Sequence, residues 1–300
     1  MSKNYRFKMP PILLHLVLFS SCFSTLYSKA DEILYSCPEN LPKHWTQCRG
    51  SKVFVDGSKY DGEFWDNRPS GLGTLRWPDG TIYNGTFISG LPNGKGKIQM
   101  PSGEIITGEW KSGVLDGLGI ETWPNGEKYI GEFQNNTANG KGTYIWANGS
   151  IYFGQFDNYR ATGQGVQTWA NGQKYTGSFR DGQPDGNGTF SWPDGSFYTG
   201  SLFAGQAHGY GMMIYANGDK YMGEWVEGMR EGNGSLVYGY KRKMIIGKWH
   251  HDKYYDPIDG DLWFNTLSYF IRTRPFKSKA SKDLTLNYDR TNFIKLTKNP

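Results

Sequence analysis

A 23-residue period constrains the fold of this 300-residue chain more than any other feature. Aligned at that spacing, eight copies without insertions carry a large apolar residue at one position: Tyr60, Tyr83, Ile106, Tyr129, Tyr152, Tyr175, Tyr198 and Tyr221. Every copy has a glycine two residues later, and a second large apolar residue follows after two more: Phe64, Phe87, Trp110, Phe133, Phe156, Phe179, Leu202 and Trp225. Alternate residues of a strand share one face, so this pattern predicts a strand with two large side chains on either side of a glycine. We expect that glycine to let a ring approach the backbone.

The second half of each copy begins with two glycines one residue apart, such as Gly71 and Gly73. Four residues later comes another large side chain: Trp77, Met100, Trp123, Trp146, Trp169, Trp192, Tyr215 and Tyr238. An Asp-Gly or Asn-Gly pair follows in most copies, as at Asp79-Gly80, and predicts a two-residue hairpin turn with positive φ. Each copy is therefore expected to form a strand, a glycine-bearing loop, a second strand and a turn. A helix is disfavoured, because each glycine would cost it roughly 1 kcal/mol.

The aromatic residues of these positions are predicted to form the core. They are Tyr60, Phe64, Trp77, Tyr83, Phe87, Trp110, Trp123, Tyr129, Phe133, Trp146, Tyr152, Phe156, Trp169, Tyr175, Phe179, Trp192, Tyr198, Tyr221 and Trp225. A partial copy precedes the array, with Gly50, Phe54 and Gly57 in frame. After Tyr238 the frame slips by one residue, and Trp249 ends a degenerate last strand.

The pattern YxGxF…GxG…WxNG resembles the MORN ("membrane occupation and recognition nexus") repeat over residues 60–238. The resemblance implies an all-β fold, an elongated and twisted antiparallel sheet of stacked hairpins. With two strands per copy at ~4.8 Å spacing, eight copies would extend roughly 75–80 Å. Stacked repeats need caps at their ends. We assign residues 31–59 to an N-terminal cap with the partial repeat, 60–249 to the array and 250–300 to a basic C-terminal cap or tail.

Residues 1–30 have the layout of a secretory signal, with Lys3, Arg6 and Lys8 before an apolar run that is too short to span a bilayer. The chain is therefore predicted to be secreted or periplasmic. The stretch that ends at Cys22 also resembles a bacterial lipoprotein signal, so an outer-membrane lipoprotein acylated at Cys22 is the alternative. Cys37 and Cys48 then remain as a candidate disulfide, worth about 3 kcal/mol in an oxidising compartment.

Charge is divided unevenly along the chain. Residues 31–240 carry 16 Lys and Arg against 22 Asp and Glu, a net charge of −6, whereas residues 241–300 carry 13 against 6, a net charge of +7. The candidate contacts to an anionic surface are Lys241, Arg242, Lys243, Lys248, Arg272, Arg274, Lys277 and Lys279. Each would contribute roughly 1 kcal/mol at such a surface. Nucleic acid is not predicted as a partner, because the basic charge is confined to the tail and the aromatics are assigned to the core.

Catalysis is not predicted, because the recurrent residues have structural roles and few chemically active residues stand outside the repeat. His250 and His251 are adjacent, but neighbours on a strand point to opposite faces and no third histidine is close in sequence, so no metal site is predicted. MORN repeats accompany kinase domains in some proteins, yet residues 250–300 are too few for one. We predict no enzyme and no cofactor.

The predicted function is binding or scaffolding through the repeat surface, with an unidentified protein partner or a second copy of the chain. Outward glutamates, namely Glu63, Glu109, Glu132 and Glu224, either face that partner or form a solvated strand face that discourages edge pairing. The alternative is membrane association through the basic tail or through an acylated Cys22.

Overall fold

The computed structural model describes residues 35–38, 45–240 and 243–257, and the backbone of two short strands near the C-terminus. Every regular element in these ranges is a β-strand. In chain order they are β1 (Tyr35–Ser36), β2 (Cys48–Val53), β3 (Lys59–Trp65), β4 (Arg68–Arg76), β5 (Ile82–Ile88), β6 (Leu91–Gln99), β7 (Ile105–Lys111), β8 (Val114–Thr122), β9 (Lys128–Gln134), β10 (Thr137–Ile145), β11 (Ile151–Asp157), β12 (Arg160–Thr168), β13 (Lys174–Arg180), β14 (Gln183–Ser191), β15 (Phe197–Phe203), β16 (Gln206–Ile214), β17 (Lys220–Val226), β18 (Met229–Tyr238), β19 (Lys243–His250), β20 (Lys253–Pro257), β21 (Thr285–Asn287) and β22 (Lys295–Thr297). The predicted signal and Cys22 lie outside the described residues.

The chain divides into two compact units, Met1–Pro124 and Asn125–Pro300. In the first unit β2 to β8 pair antiparallel in chain order, and β1 lies parallel to β2. In the second unit β9 to β20 pair antiparallel in chain order, while β21 and β22 form a separate pair. The predicted all-β fold of stacked antiparallel hairpins is confirmed.

The two-residue turns and the longer turns lie at different places in the repeat from those predicted. The two-residue turns join the two strands within each copy, where both central residues have positive φ, as at Asp66 (47°) and Asn67 (62°). This conformation fits the twist of the hairpin. The predicted glycine-bearing loop is therefore only two residues long, and the paired glycines belong to the second strand.

The Asp-Gly and Asn-Gly pairs form longer turns between copies, so the two-residue prediction is wrong there. The amide of Trp77 donates to the carbonyl of Thr81 at 2.9 Å, and the amide of Gly80 donates to the carbonyl of Trp77 at 3.0 Å. Gly80 has φ +92° as predicted, but Asp79 does not have positive φ. Instead, the Asp79 carboxylate accepts a hydrogen bond from the Thr81 amide at 2.8 Å, which is the local role that favours Asp and Asn in turns.

A row of glycines crosses each unit at the centre of its strands. In the second unit the register pairs Gly142 with Gly154, Gly154 with Gly165, and Gly165 with Gly177, and the row runs from Gly131 to Gly247. In the first unit the corresponding row runs from Gly50 to Gly119. Side chains are thus missing along one continuous line of each sheet.

Tyrosine rings fill the space that the glycine row leaves. At Tyr152, which is fully buried, the ring covers Gly154 and Gly165, and a Cβ added at Gly165 would lie 2.5 Å from its hydroxyl oxygen. That hydroxyl donates to the carbonyl of Gln155 at 3.0 Å and lies 3.3 Å from the carbonyl of Thr162. The same arrangement recurs in the other copies that have tyrosine at this position. The expectation that glycine admits a ring close to the backbone matches this geometry.

The second large residue of each copy joins neighbouring tyrosines into one network. The ring of Phe156 meets Tyr152 at 5.1 Å and Tyr129 at 5.0 Å between centroids, and both contacts are edge-to-face. Such contacts add roughly 0.5–1.5 kcal/mol beyond the buried area. Fourteen of the predicted core aromatics are buried: Tyr60, Phe64, Tyr83, Phe87, Trp110, Tyr129, Phe133, Tyr152, Phe156, Tyr175, Phe179, Tyr198, Tyr221 and Trp225.

The tryptophans that precede the longer turns differ from the core prediction. Trp77, Trp123, Trp146, Trp169 and Trp192 are half-buried, because they lie at the strand ends, one residue beyond the last sheet pair. Some of them stack locally, and Phe190 lies between Trp169 and Trp192 at centroid distances of 5.1 and 5.3 Å. These residues therefore form a rim beside the core.

In one copy Ile106 stands in place of the tyrosine, and a leucine on the paired strand fills the space of the missing ring. Leu115 is 1% exposed and stands where other copies have proline, alanine or arginine. A Cβ added at Gly108 would lie 2.7 Å from Leu115 Cδ1, so the leucine occupies the space of the missing ring.

Both ends of the array are covered by additional residues. Cys37 and Cys48 form a disulfide with an S–S distance of 2.06 Å, and the Trp45 ring meets Phe64 edge-on at 4.8 Å. At the other end the buried Trp249 contacts Tyr221 and Tyr254 at 5.3 and 5.6 Å. Strand β20 pairs with β19, so the sheet continues past the predicted boundary at Trp249.

Two glycine substitutions separate steric cost from backbone strain. We expect Gly142→Ala to lower the free energy of unfolding by about 3 kcal/mol, because its Cβ would lie 2.5 Å from the Tyr129 hydroxyl. Gly149→Ala should cost only about 1 kcal/mol, since Gly149 has φ +86° but no atom within 4 Å of an added Cβ. Urea denaturation measures both, and equal costs would contradict the ring-packing account.

Burial of the tyrosines also predicts a loss of stability in alkali. Burial raises the pKa of Tyr152 and of Tyr175 to about 12, against about 10 in an unfolded chain. The unfolded state therefore releases these protons first, and stability that is complete below pH ~10 should fall as pH rises towards 12. Phenolate absorbance should show a late phase that coincides with unfolding and is smaller in Tyr152→Phe. Titration of these tyrosines near pH 10 in a folded chain would contradict the prediction.

Candidate functional site

We call the face opposite the tyrosines the outer face. Residues next to the aromatic and glycine positions point to this side because side chains alternate along a strand. Cross-strand partners share a face, so the outer residues form rows, such as Phe153 beside Val166 and Met212 beside Met222.

The outward glutamates brace the sheet as well as facing solvent. The first glycine of each pair lies in a bulge with positive φ, for example Gly140 at +90°. The Glu132 side chain packs directly over Gly140, and the Glu224 side chain packs over Gly232 in the same way. Glu224 Oε1 also accepts hydrogen bonds from the Tyr210 hydroxyl at 3.1 Å and from the Asn233 amide at 3.2 Å.

An open hollow of about 380 Å³ lies beside these contacts in the second unit. Its lining includes Glu132, Lys141, Gln155 and Thr162. Glu132 is already packed on Gly140, and the Gln155 amide oxygen accepts from the Gln164 amide at 3.3 Å. Two of the side chains that line the hollow are therefore already engaged in contacts within the repeat.

A cluster of apolar side chains occupies the outer face of β15–β19. We call it the outer apolar patch, and it comprises Phe197, Met212, Ile214, Met222, Val237, Met244 and Ile246. In the register Phe197 lies beside Ile214, and Val237 lies beside Met244. Ser235 lies between Met222 and Ile246.

This patch is closely packed, although Lys220 lies between Ile214 and Val237 in the register. Thr199 and Ser235 are on the outer face, yet they are only 9% and 4% exposed. Met244 is 37% exposed at the edge of the patch, and Tyr210 and Val226 beside it are each 40% exposed. The patch was not predicted, although the outward positions of the last copies are visibly apolar in the sequence.

The basic residues predicted to contact an anionic surface are only partly described. Lys243 and Lys248 are exposed on β19. Lys241, Arg242, Arg272, Arg274, Lys277 and Lys279 lie outside the described residues. Among the residues that the structure describes, no helix has the length and hydrophobicity needed to cross a bilayer.

His250 and His251 come together with Glu231, contrary to the expectation that they point apart. His251 is the first residue of a two-residue turn with φ 47°, so strand alternation does not apply to it. His250 Nδ1 lies 2.8 Å from Glu231 Oε1, and the His251 amide donates to Glu231 Oε2 at 2.9 Å. The hydrogen bond to His250, followed by the one to the His251 backbone, lowers the pKa of Glu231.

The solved structures to which the chain is similar are distant. The TCP10 domain of Danio rerio CPAP is 11% identical over 70% of this chain and 98% of its own, with a TM-score of 0.41. The SAS-4 (dCPAP) TCP domain of Drosophila melanogaster, in complex with a proline-rich motif of Ana2 (dSTIL), is 16% identical over 58% and 88%, with a TM-score of 0.28. Virginiamycin B lyase from Staphylococcus aureus is 9% identical over 67% and 84%, with a TM-score of 0.16. Because these TM-scores are below 0.5, we draw no conclusion about function from them.

No curated protein sequence matches the chain at a significant level. A family model does match, under the description "MORN repeat", at residues 60–82, 83–105, 107–128, 129–151, 152–174, 175–197, 198–220 and 221–239. These matches cover more than half of the chain and coincide with the hairpins described above. The chain therefore belongs to the MORN repeat family.

Proposed function

We propose that this chain is a non-catalytic, exported binding protein whose outer apolar patch docks a protein partner. The observation that carries the proposal is the patch itself, which lies on the outer face of β15–β19. A sheet with one solvated face ordinarily places polar side chains there. Apolar side chains grouped on such a face instead mark interaction sites.

The composition of the patch suits contact with another protein. Met212, Met222 and Met244 supply flexible, polarizable side chains that adapt to a partner's shape. The tyrosines of the inner face offer a partner little surface, because they are covered by neighbouring rings. Binding energy should therefore come from burial of outer residues.

A protein partner is favoured over an anionic membrane by the charge of the repeats. Residues 31–240 carry a net charge of −6, which opposes approach to a negatively charged surface. The exposed Lys243 and Lys248 lie on β19, the last strand to contribute to the patch. A lipid contact through this edge is the competing outcome of the test below.

Export is supported by two features at the N-terminus. Residues 1–30 have the layout of a secretory signal, and the disulfide between Cys37 and Cys48 is of the kind that persists in oxidising compartments. Acylation at Cys22 would retain the exported chain at a membrane without lipid recognition by the repeats.

Site-specific photo-cross-linking tests the docking surface in the native host. A photoreactive residue at Met222 should form a covalent adduct of discrete mass with a protein, whether another protein or a second copy of the chain. Asn84 is the matched control, because it occupies the same repeat position on the outer face of the first unit, pairs with Thr74 and Lys97, and should give no such adduct. The additional substitution Met212→Glu should abolish the adduct at Met222 by placing a charge at its cross-strand neighbour.

Two outcomes would contradict the docking proposal. Equal adducts at Met222 and Asn84 would show that the contact does not depend on the patch. Adducts with lipid alone, together with flotation of the purified chain on anionic vesicles, would favour the membrane alternative.

The mass of the mature protein tests export separately. We expect intact-mass analysis of the chain from its native host to show that residues 1–30 are absent, with Cys37 and Cys48 oxidised. A mature chain that begins at an acylated Cys22 would identify the lipoprotein version. Retention of residues 1–30 with both thiols reduced would contradict export.

A further inference from the structure

Three side chains that can bind a metal meet at the last described turn of the second unit. His250 Nδ1 lies 2.8 Å from Glu231 Oε1 and 3.2 Å from His251 Nδ1. His251 Nδ1 lies 4.0 Å from Glu231 Oε2. One ligand atom from each of the three residues lies within 4.8 Å of the other two.

The stacking of turns brings these residues together although 20 residues separate Glu231 from His251. In successive copies the second residue of each two-residue turn donates its amide to a carbonyl of the strand before the hairpin, as Gly205 does to Pro184 and Gly228 to Ala207. Asp252 makes the equivalent bond to Arg230 at 3.1 Å. The residue after Arg230 therefore lies against the turn that holds His251.

A clamp beside the cluster holds this turn in place. Arg230 Nε and its backbone amide both donate to Asp252 Oδ1 at 2.9 Å, and Arg230 Nη2 donates to the Asp252 carbonyl at 2.8 Å. The Arg230 guanidinium also lies over the Trp249 ring, 4.4 Å from its centroid. The backbone of the turn is thus held by contacts that do not use Glu231, His250 or His251.

The three residues do not follow from the repeat. In the preceding hairpin the equivalent positions hold Val226, Glu227 and His208, which supply one imidazole and one carboxylate beside an aliphatic side chain. The repeat geometry explains the backbone at this turn, but it does not explain why two imidazoles and a carboxylate occur there together.

We propose that Glu231, His250 and His251 bind a divalent transition metal of the zinc class. Two imidazoles and one carboxylate form a donor set that Zn²⁺ accepts, with metal–ligand bonds of about 2.0–2.2 Å. Tetrahedral ligands at such bond lengths lie about 3.4 Å apart. The His250 and His251 Nδ1 atoms are 3.2 Å apart, and the Glu231 carboxylate faces them with different oxygens, Oε1 at 2.8 Å from His250 and Oε2 at 4.0 Å from His251. The side chains are 30–63% exposed, so solvent reaches the remaining coordination positions.

The ion would link β18 to the turn between β19 and β20. This contact crosses the final hairpin of the described array, where no further repeat stacks on the sheet within residues 45–257. Repeat arrays require a stabilising element at their ends. The proposal is independent of the docking function, because the cluster and the outer apolar patch are separate sets of residues.

Zinc binding by the untagged full-length chain tests the site. Competition with a chromogenic chelator should reveal one Zn²⁺ per chain in the wild type. Glu231→Gln, His250→Asn and His251→Asn should each weaken binding at least about 10-fold, since loss of even an outer-shell partner commonly costs 10–100-fold. Glu231→Gln preserves side-chain shape, and circular dichroism of each variant checks that the sheet is intact.

His208→Asn is the matched control, because it removes an exposed imidazole from β16 without touching the cluster, and it should leave the affinity unchanged. Cu²⁺ provides a second readout, in which electron paramagnetic resonance should detect two coupled nitrogens in the wild type and one in each of the His250 and His251 variants. Failure of the wild type to bind zinc would overturn the proposal. So would wild-type affinity in all three cluster variants, which would place the ion on other donors.

Discussion

The contact on which the rest of this structure depends is a tyrosine ring lying on a pair of cross-strand glycines. A sheet normally buries one face against a second layer of structure. In this chain the glycine row removes the side chains that would hold the rings away from the backbone, so rings such as Tyr152 lie directly on the sheet and are fully buried. Edge-to-face contacts with residues such as Phe156 then join one copy to the next. The core is thus built from the sheet's own side chains.

This arrangement determines which positions of the sheet are able to vary between copies. Because rings cover the inner face, the outer face carries what varies between copies, and it changes from Asp61 and Asn84 near the start to Met222 near the end at one repeat position. The residues of the two-residue turns also vary between copies, because the repeat requires a particular backbone conformation there but not a particular side chain. The proposed docking patch consists of variable residues on the outer face, and the proposed metal site includes variable residues of a turn.

Much of the fold could be predicted from the sequence, because the 23-residue period places residues such as Tyr60 and Gly62 on one strand face. The period could not distinguish the buried Phe64 from the half-buried Trp77, since position along a strand decides burial and the strand ends were unknown. It also misassigned Asp79-Gly80, because the same dipeptide serves a longer turn in which aspartate accepts a backbone hydrogen bond. His251 was misplaced for a related reason, since strand alternation was extended into a turn.

A double-mutant cycle between Tyr152 and Gly165 tests the central claim most directly. Tyr152→Ala removes the ring that an alanine side chain at residue 165 would meet, so the substitution Gly165→Ala should be far less damaging in that background. The account predicts a coupling free energy of at least about 2 kcal/mol between the two sites, measured by urea denaturation. Costs that add to within about 0.5 kcal/mol would show that the ring and the glycine do not depend on each other, and would contradict the account.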